Sequence, residues 1–309
     1  MSAPNAAAGN GSYLYFPGCS LKSSGAAYEE SLLTLFRLLG LGIRELEDWN
    51  CCGATSYMAI HEASAFNLAA RNLALAEKAG SNELMAPCSA CYLVLMKTID
   101  SRKRYPSIDR GVREGLERAG LPATANVRVR HPLEILFNDV GAATLKSKAV
   151  RKWAGGPIAC YYGCQAVRPY SEVDDPHTPT RMEQILKAVG VPTVDYTLRT
   201  KCCGGSLTGT IPMVGVRMNY ELLKEAARNG ASAIVTICPL CQFNLDTYQS
   251  QIRADTKFPI DMPVLYITQV LGWMLGGDWK ELGLGRSISG VKALKQWMAT
   301  SAKEHEAHV

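Results

Sequence analysis

Ten of the eleven cysteines in this 309-residue chain form one pattern that occurs twice. Each copy has a single cysteine, then an adjacent pair followed by glycine, then a CxxC motif. The two copies are Cys19, Cys51, Cys52, Cys88 and Cys91, and Cys164, Cys202, Cys203, Cys238 and Cys241. Corresponding cysteines are 145 to 151 residues apart. A repeat of this length, present twice, indicates a tandem duplication of one domain-sized unit.

The sequence around the cysteines repeats with them. "YFPGCS" at 15–20 matches "YYGCQ" at 161–165, and "AEKAGSNELMAPCSAC" at 76–91 matches "AARNGASAIVTICPLC" at 226–241. We therefore predict two pseudo-symmetric lobes and a short tail. The predicted boundaries are 12–150 for the first CCG lobe, 151–285 for the second, and 286–309 for a basic helical tail.

Helical and strand patterns alternate within each unit. The first unit predicts helix 24–39, strand 42–49, helix 56–79 and strand 82–87. The second predicts helix 180–189, strand 191–196, helix 213–229, strand 231–237 and a helix from 240. This alternation is typical of an α/β fold with a small, mainly parallel sheet in each lobe. The cysteine loops then follow strand ends, and we expect them to converge between the lobes.

Composition narrows the functional class. With 47% hydrophobic and 20% charged residues the chain resembles a soluble globular protein. A net charge of +5 gives no reason to expect nucleic acid as a partner. The longest apolar stretch, 264–277, is too short for a bilayer and predicts a core helix. The first twelve residues lack signal-peptide features, so we expect a cytoplasmic protein, where eleven cysteines favour metal or redox chemistry over disulfides.

The cysteine pattern predicts a metal site more strongly than it identifies the metal. Zinc takes four ligands around one ion, which leaves one cysteine of five unused and fits adjacent cysteines poorly. An iron–sulfur centre accepts adjacent thiolates because they can bind different irons, and neither unit contains the ferredoxin run of cysteines. Zinc in one lobe and metal-free redox thiols remain alternatives. We expect Gly53, Gly204 and Gly205 to let the backbone approach the bound group.

The doubled pattern, with "YYGCQAVRP" at 161–169 before the second CCG, resembles the B subunit of heterodisulfide reductase from about residue 12 to 275. The resemblance implies two non-cubane [4Fe–4S] clusters, one held by each set of five cysteines. It also implies that the clusters flank a disulfide and cleave it in one-electron steps, each capturing one sulfur.

The resemblance further implies partners: a C subunit with ferredoxin-type cubane clusters and a flavin-containing A subunit. Within the family, the Ala- and Arg-rich composition favours a bacterial sulfur-oxidation complex acting on sulfur carried by a lipoate-binding protein. The alternatives are reduction of the coenzyme M–coenzyme B heterodisulfide, an electron-transfer subunit that binds no substrate, and a zinc-stabilised scaffold.

Several further residues carry weaker expectations. Cys160 lies outside the repeat, and a buried unligated thiol is a better interpretation than a sixth ligand. The polar loop 168–186 contains Arg168 and His177, which we select as the anion clamp and proton donor of a substrate cavity. The alternative for this loop is a solvated segment that caps a helix starting near Thr180. The tail is interpreted either as a docking helix for a partner or as a solvated terminal helix.

Overall fold

Two small parallel sheets, one in each half of the chain, organise the molecule. The structure, a computed structural model, describes residues 12–54, 56–124 and 126–306, so the first eleven residues lie outside it. The first half contains β1 (Tyr13–Tyr15), α1 (Gly18–Leu21), α2 (Ala26–Leu39), β2 (Ile43–Glu45), α3 (Ser56–Ile60), α4 (Glu62–Lys78), β3 (Glu83–Met85), α5 (Ser89–Arg104), α6 (Pro106–Arg118) and β4 (Arg128–Arg130).

The second half follows after a connecting region made of α7 (Pro132–Ile135), a π-helical turn (Leu136–Val140) and α8 (Gly141–Lys148). It contains β5 (Ile158–Tyr161), α9 (Arg181–Ala188), α10 (Leu207–Thr210), α11 (Pro212–Arg228), β6 (Ala233–Thr236), α12 (Pro239–Thr247), α13 (Gln249–Thr256), β7 (Val264–Tyr266), α14 (Ile267–Met274), a 3-10 turn (Leu284–Arg286) and α15 (Val291–Glu306).

The two sheets have the same strand order. The first is β2-β1-β3-β4 and the second is β5-β6-β7, with Thr193 bridging Ile158 where a fourth strand would lie. All pairs are parallel. In parallel sheets with this strand order, the order reverses next to the first strand of the chain, so neighbouring strands continue to opposite sides. Ligands bind at this switch point, outside the carboxyl ends of the strands. The predicted α/β class with two lobes is confirmed.

Three predicted elements differ from the structure. The helix expected over 56–79 is broken at His61, whose φ of −141° and ψ of 66° are not helical. The strand expected over 191–196 is reduced to a single bridge, because Pro192 has no N–H to extend the ladder. The apolar stretch 264–277, predicted as one core helix, is instead strand β7 followed directly by helix α14.

The two lobes share one hydrophobic core. Helix α2 of the first lobe packs along α14 of the second, where the Ser31 and Thr268 hydroxyls are 2.6 Å apart. In the same interface the rings of Tyr28 and Tyr266 stack with centroids 4.4 Å apart and planes 7° from parallel. The lobes are thus held face to face, and the loops after their strands meet.

The C-terminal helix α15 packs on the second lobe. Its Leu294 and Met298 are buried, and burial of one such side chain contributes about 1.5–3 kcal/mol. The Ser301 hydroxyl accepts from the Trp273 indole at 3.0 Å and donates to the Lys152 carbonyl at 2.6 Å. The apolar face of α15 is therefore already covered by this chain.

No helix in the described part of the chain is long and apolar enough to span a bilayer.

Candidate metal centre

Nine of the ten motif cysteines form one continuous row of neighbouring thiols. Cys51 adjoins Cys52, whose sulfur lies 3.2 Å from that of Cys91. The row passes from Cys91 through Cys88 to Cys238 of the other lobe. From Cys238 the row continues through Cys241, Cys203 and Cys202 to Cys164, each next to the one before it. The tenth cysteine, Cys19, lies close enough to Cys51 to influence its pKa.

Thiols with a lowered pKa occupy every third position of the row, and two neighbouring thiols stabilise each of them. Hydrogen bonds from Cys51 and then Cys91 lower the pKa of Cys52 to about 4. Those from Cys164 and Cys203 hold the pKa of Cys202 far below its usual range. The pKa of Cys238 is lowered in the same way by Cys241 and Cys88. Because thiolates are the form that binds metal, these three cysteines supply ligands near neutral pH, while the pKa values of their neighbours in the row are raised.

Local structure explains why these cysteines converge. Cys88 and Cys238 follow the buried strands β3 and β6 and are the N-cap residues of α5 and α12. Helix amino termini carry unpaired N–H groups and a partial positive charge, which favour a thiolate. Among the described residues, no three cysteine, histidine or acidic side chains surround a single point as ligands of one ion would. The sulfurs lie in a row instead.

Two glycines, Gly18 and Gly163, allow the backbone to approach the sulfurs closely. A Cβ on Gly18 would lie 2.9 Å from the Cys91 sulfur, and one on Gly163 would lie 3.0 Å from that of Cys241. Both glycines have positive φ, +64° and +71°. Each precedes the leading cysteine of its repeat, so the "GC" shared by both copies was the available signal.

Two of the three glycines predicted to admit a bound group lie close to the backbone of a helix. A Cβ on Gly53 would meet the Cα of Ala65 at 3.1 Å, and one on Gly204 would meet the Cα of Gly215 at 3.0 Å. At Gly205 nothing lies within 4 Å, although its φ is +49°. Gly53 and Gly204 therefore allow each cysteine pair to pack against the helix that follows it. Their role toward a bound group stays a prediction.

A cavity of about 360 Å³ opens beside the row. All five cysteines of the second repeat line it, together with Ala59 and Ser89 from the first lobe. One water occupies about 30 Å³ in the liquid, so the space corresponds to roughly a dozen waters. A larger groove of about 580 Å³ lies between α11 and α13, and no cysteine lines it. The smaller cavity is the one that adjoins the thiolates.

One buried hydroxyl beside the row lacks a hydrogen-bond partner. The Tyr28 hydroxyl is fully buried, and burial followed by the charges of Cys238 and Cys88 raises its pKa. The Ser89 hydroxyl, next to Cys88, has no oxygen or nitrogen partner but adjoins the Cys238 sulfur, whose pKa it helps to lower. A buried unpaired polar group costs about 1–3 kcal/mol, so the Tyr28 hydroxyl requires an explanation.

The ten thiols, the two close glycine contacts, the cavity and the orphaned Tyr28 hydroxyl together fit a polynuclear metal–sulfur group. Its sulfides would accept a hydrogen bond from the unpaired donor. A single tetrahedral ion would use only four thiolates and would leave the rest of the row without a role.

His131, to which no role was assigned from the sequence, supports both CxxC loops. The ring is fully buried; its Nδ1 accepts from the Leu133 amide at 3.2 Å, which assigns the proton to Nε2. Nε2 donates to the Pro87 carbonyl at 3.1 Å, and the Ile237 backbone lies close enough to the ring to act on its pKa. Pro87 and Ile237 immediately precede Cys88 and Cys238, so one imidazole ties together the two loops that meet between the lobes.

We expect this histidine to make the metal-free protein acid-labile. Burial lowers the pKa of His131 to about 4, below the value near 6.5 of an exposed imidazole. The folded state holds the ring neutral, so its stabilisation is present above pH 6.5 and is lost as the pH falls toward 4. Lowering the pH from 7 to 5 should therefore reduce the free energy of unfolding by about 2 kcal/mol through this group. Urea unfolding at the two pH values measures the loss.

The matched variant for that measurement is His131→Asn, which keeps a hydrogen-bonding side chain but does not titrate. Burial raises the pKa of Glu134, which contributes to the pH dependence with the opposite sign, so the two proteins must be compared directly. A wild-type pH slope equal to that of the variant would contradict a buried neutral His131.

The two residues selected from the loop 168–186 make local contacts within the second lobe. The Arg168 guanidinium donates to the Thr200 carbonyl and thereby supports the loop that enters the second cysteine pair. His177 is exposed, and its backbone amide donates to Asp175 Oδ1 at 2.8 Å. Neither lines the 360 Å³ cavity. Their expected roles as anion clamp and proton donor remain untested predictions.

The rest of that loop shows its own order. Asp174 Oδ2 accepts from the amides of Thr180 and Arg181 at 2.9 and 2.7 Å and so caps α9. Cys160 lies on β5, fully buried within the hydrophobic core, and burial raises the pKa of its thiol well above the usual value. A protonated thiol in that setting is inert.

Comparison with known proteins gives matches over nearly the whole chain. A family model of the CCG cysteine-rich domain matches residues 13–96 and 158–246. The chain is 31% identical over 282 residues to the 8-methylmenaquinol:fumarate reductase membrane anchor subunit of Wolinella succinogenes, covering 89% of this chain and 96% of that protein. It is also 31% identical over 278 residues to a protein of Archaeoglobus profundus that is like the heterodisulfide reductase B subunit, covering 86% and 91%.

Among solved structures, a hypothetical protein from Helicobacter pylori superposes with a TM-score of 0.70 at 13% identity. The alignment covers 91% of this chain and 52% of that one, so this chain spans about half of its length. At this identity the likeness shows the shared fold alone.

Proposed function

Because the chain belongs to the CCG cysteine-rich domain family, as a homologue of the heterodisulfide reductase B subunit, we propose that it is the iron–sulfur subunit of a multi-subunit oxidoreductase that makes or breaks S–S bonds. One observation carries the proposal. The cysteines of both repeats join in a single row that crosses from lobe to lobe through Cys88 and Cys238. Two separate zinc knots would not need this junction.

The residues that would hold the metal are the two sets of five motif cysteines, each set binding one non-cubane [4Fe–4S] cluster. Such clusters, when bound, supply one-electron transfer at sites that can take up a sulfur atom. The chain's own contribution is positional. Gly18 and Gly163 admit Cys91 and Cys241 to the row, and His131 fixes the two CxxC loops relative to each other.

The reaction in the reductive direction consumes two electrons and two protons and converts one disulfide to two thiols. The electrons would come one at a time from a ferredoxin-type C subunit and ultimately from a flavin-containing A subunit. The cavity beside Cys202 and Cys203 would admit the disulfide, and its wall is closed from the first lobe by Ala59 and Ser89. Oxidation is the same exchange in reverse, with the partner subunits as electron acceptors.

For the substrate we propose sulfur bound to a lipoate-carrying protein, oxidised in the cytoplasm. The Ala- and Arg-rich composition supports this choice. The net charge of +5 suits an acidic carrier, and the exposed His177 and the half-buried Arg168 lie on one polar loop that such a carrier could contact. The coenzyme M–coenzyme B heterodisulfide is the alternative substrate, supported by 28% identity over 278 residues to the B subunit of a CoB-CoM heterodisulfide reductase of Methanosarcina acetivorans.

A second candidate is electron transfer without any disulfide substrate. It is favoured by the likeness to one component of a menaquinol:fumarate reductase, which extends over 96% of that relative. In this case the same row of cysteines would hold two centres that pass electrons between partner proteins.

Metal analysis tests what both candidates share. The anaerobically purified protein is expected to contain about eight irons per chain and a matching amount of acid-labile sulfide. The reason is the donor set: nine free thiols in one row, with Cys19 beside it, exceed the eight that two zinc ions can use. Colorimetric iron and sulfide assays, with zinc measured in the same sample, give the answer. Zinc without sulfide would refute the iron–sulfur assignment.

Spectroscopy separates the two candidates. Adding a small disulfide to the oxidised or partly reduced protein should change its EPR signal if a sulfur enters the cavity. A signal that stays the same at every disulfide concentration, in a protein with full iron, would favour the electron-transfer role.

A further inference from the structure

Among the described residues, the second lobe has a side-chain amide that donates to a cysteine of its CCG pair, and the first lobe has none. The Asn244 amide is fully buried on α12, one turn after Cys241. Its Nδ2 lies 3.5 Å from the Cys203 sulfur and also donates to the carbonyl oxygens of Gly205 at 2.9 Å and Cys203 at 3.3 Å. The side chain thus binds both the sulfur and the backbone of the CCG loop.

The two carbonyl contacts fix the orientation of this amide. The carbonyl oxygens of Gly205 and Cys203 can only accept, so the atom that faces them and the Cys203 sulfur must be the nitrogen. The Thr208 hydroxyl lies 3.0 Å from Asn244 Oδ1 and can donate to it.

The first lobe is built differently at the same place. The repeat aligns Cys91 with Cys241, which puts Val94 where the second lobe has Asn244. Val94 is buried and has no side-chain donor. The first lobe fixes its cysteine pair from another helix: Asn72 on α4 exchanges hydrogen bonds with the backbone of Asn50 at 3.0 and 2.9 Å.

We propose that Asn244 is a positioning residue that makes the two metal centres unequal, giving the second-lobe centre the higher reduction potential. The inference rests on the proposed function, since it assumes a redox centre on each set of cysteines. Electrons would therefore collect at the second centre, which is also the one whose cysteines line the open cavity.

The sign follows from electrostatics. Reduction adds negative charge to a cluster and its thiolates, and a hydrogen bond donated to a ligand sulfur stabilises that added charge. Hydrogen bonds to the sulfurs are among the factors that set the potentials of iron–sulfur centres. The site is buried, so the N–H dipole is weakly screened. Both lobes have the same five motif cysteines. The two sets of sulfurs differ in their hydrogen-bond donors, because the second lobe has Asn244 where the first has Val94.

The test is a redox titration of the holoprotein followed by EPR, comparing wild type with Asn244→Leu. In the variant, the equilibrium constant for placing an electron on the second centre rather than the first is expected to fall about tenfold. This corresponds to a fall of about 59 mV in the one-electron reduction potential of the second centre. The matched control is Asn72→Leu, which removes a buried amide of the other lobe that bonds backbone only. It should leave the second potential unchanged.

A direct contact measurement accompanies the titration and holds even if Asn244→Leu loads poorly. In wild-type protein labelled with [¹⁵N]asparagine, pulsed EPR should detect a nitrogen coupling at the second centre, absent from Asn244→Leu and retained in Asn72→Leu. Full iron with unchanged potentials, or no such coupling in wild type, would overturn the role of Asn244. Lack of iron in the wild-type protein would instead refute the proposed function itself.

Discussion

Cys203→Ser protein is expected to retain only about half of the wild-type iron, roughly four ions per chain, and to lose all turnover. Cys203 is buried and stands between Cys202 and Cys241 in the row, so its removal interrupts the second set of thiols. A serine hydroxyl is a hard donor that stays protonated at neutral pH and replaces a thiolate poorly. The first lobe keeps its own sheet and ligands, so it should remain folded and loaded.

The control is Cys160→Ala. This thiol lies in the same lobe but on strand β5, buried in the apolar core away from the row. The variant should keep its iron and its EPR spectrum, with a modest loss of stability from the small space left behind. If Cys203→Ser retained full iron and turnover, Cys203 would not be a ligand. If Cys160→Ala lost iron, the count of ten ligands would be wrong.

The cysteine repeat and the sequence around it predicted the architecture. The matched spacing of the cysteines indicated the duplication, and the alternation of helical and strand patterns between the cysteines indicated the α/β class. The structure confirms two parallel sheets of equal strand order. Local errors arose where one residue changed the backbone: His61 interrupts a helix whose apolar spacing continues through it, and Pro192 shortens a strand. Spacing of apolar side chains does not report such single-residue breaks.

The parts of the site that the sequence did not reveal come from contacts between distant segments. Tyr28 and Tyr266 stack across the lobe interface, and His131 joins loops on both sides of it. None of these residues lies at a diagnostic spacing from a cysteine. Asn244 is closer in sequence, but an asparagine in a helix has no pattern that distinguishes it from a surface residue until its burial is known. Such roles depend on tertiary packing.

Arg168 and His177 were selected because polar residues followed Cys164 in the chain, and their roles stay predictions. Neither lines the cavity, and Asp174 in the same loop caps a helix. The positions of Cys88 and Cys238 were easier to predict, because each follows the end of a strand, β3 or β6, and begins a helix.

Gly163→Ala is the second substitution for which we expect a large effect. A Cβ at this position would lie 3.0 Å from the Cys241 sulfur, and the φ of +71° is unfavourable for alanine by about 1–2 kcal/mol. The steric contact must displace either the loop that carries Cys164 or the sulfur of Cys241. We expect the variant to fold with reduced stability and to lose the iron of the second centre.

Gly230→Ala separates the two causes. Gly230 has a φ of +80° but no atom within 4 Å of its ideal Cβ position, so the substitution imposes a similar backbone cost without touching a sulfur. Thermal unfolding should show comparable losses of stability in both variants, while iron analysis should show a loss only in Gly163→Ala. Equal iron in the two proteins would mean that the close approach of Gly163 to Cys241 does not determine metal binding. The corresponding pair in the first lobe, Gly18→Ala and Gly80→Ala, repeats the comparison, because Gly80 has a φ of +74° and open space while Gly18 faces Cys91 at 2.9 Å.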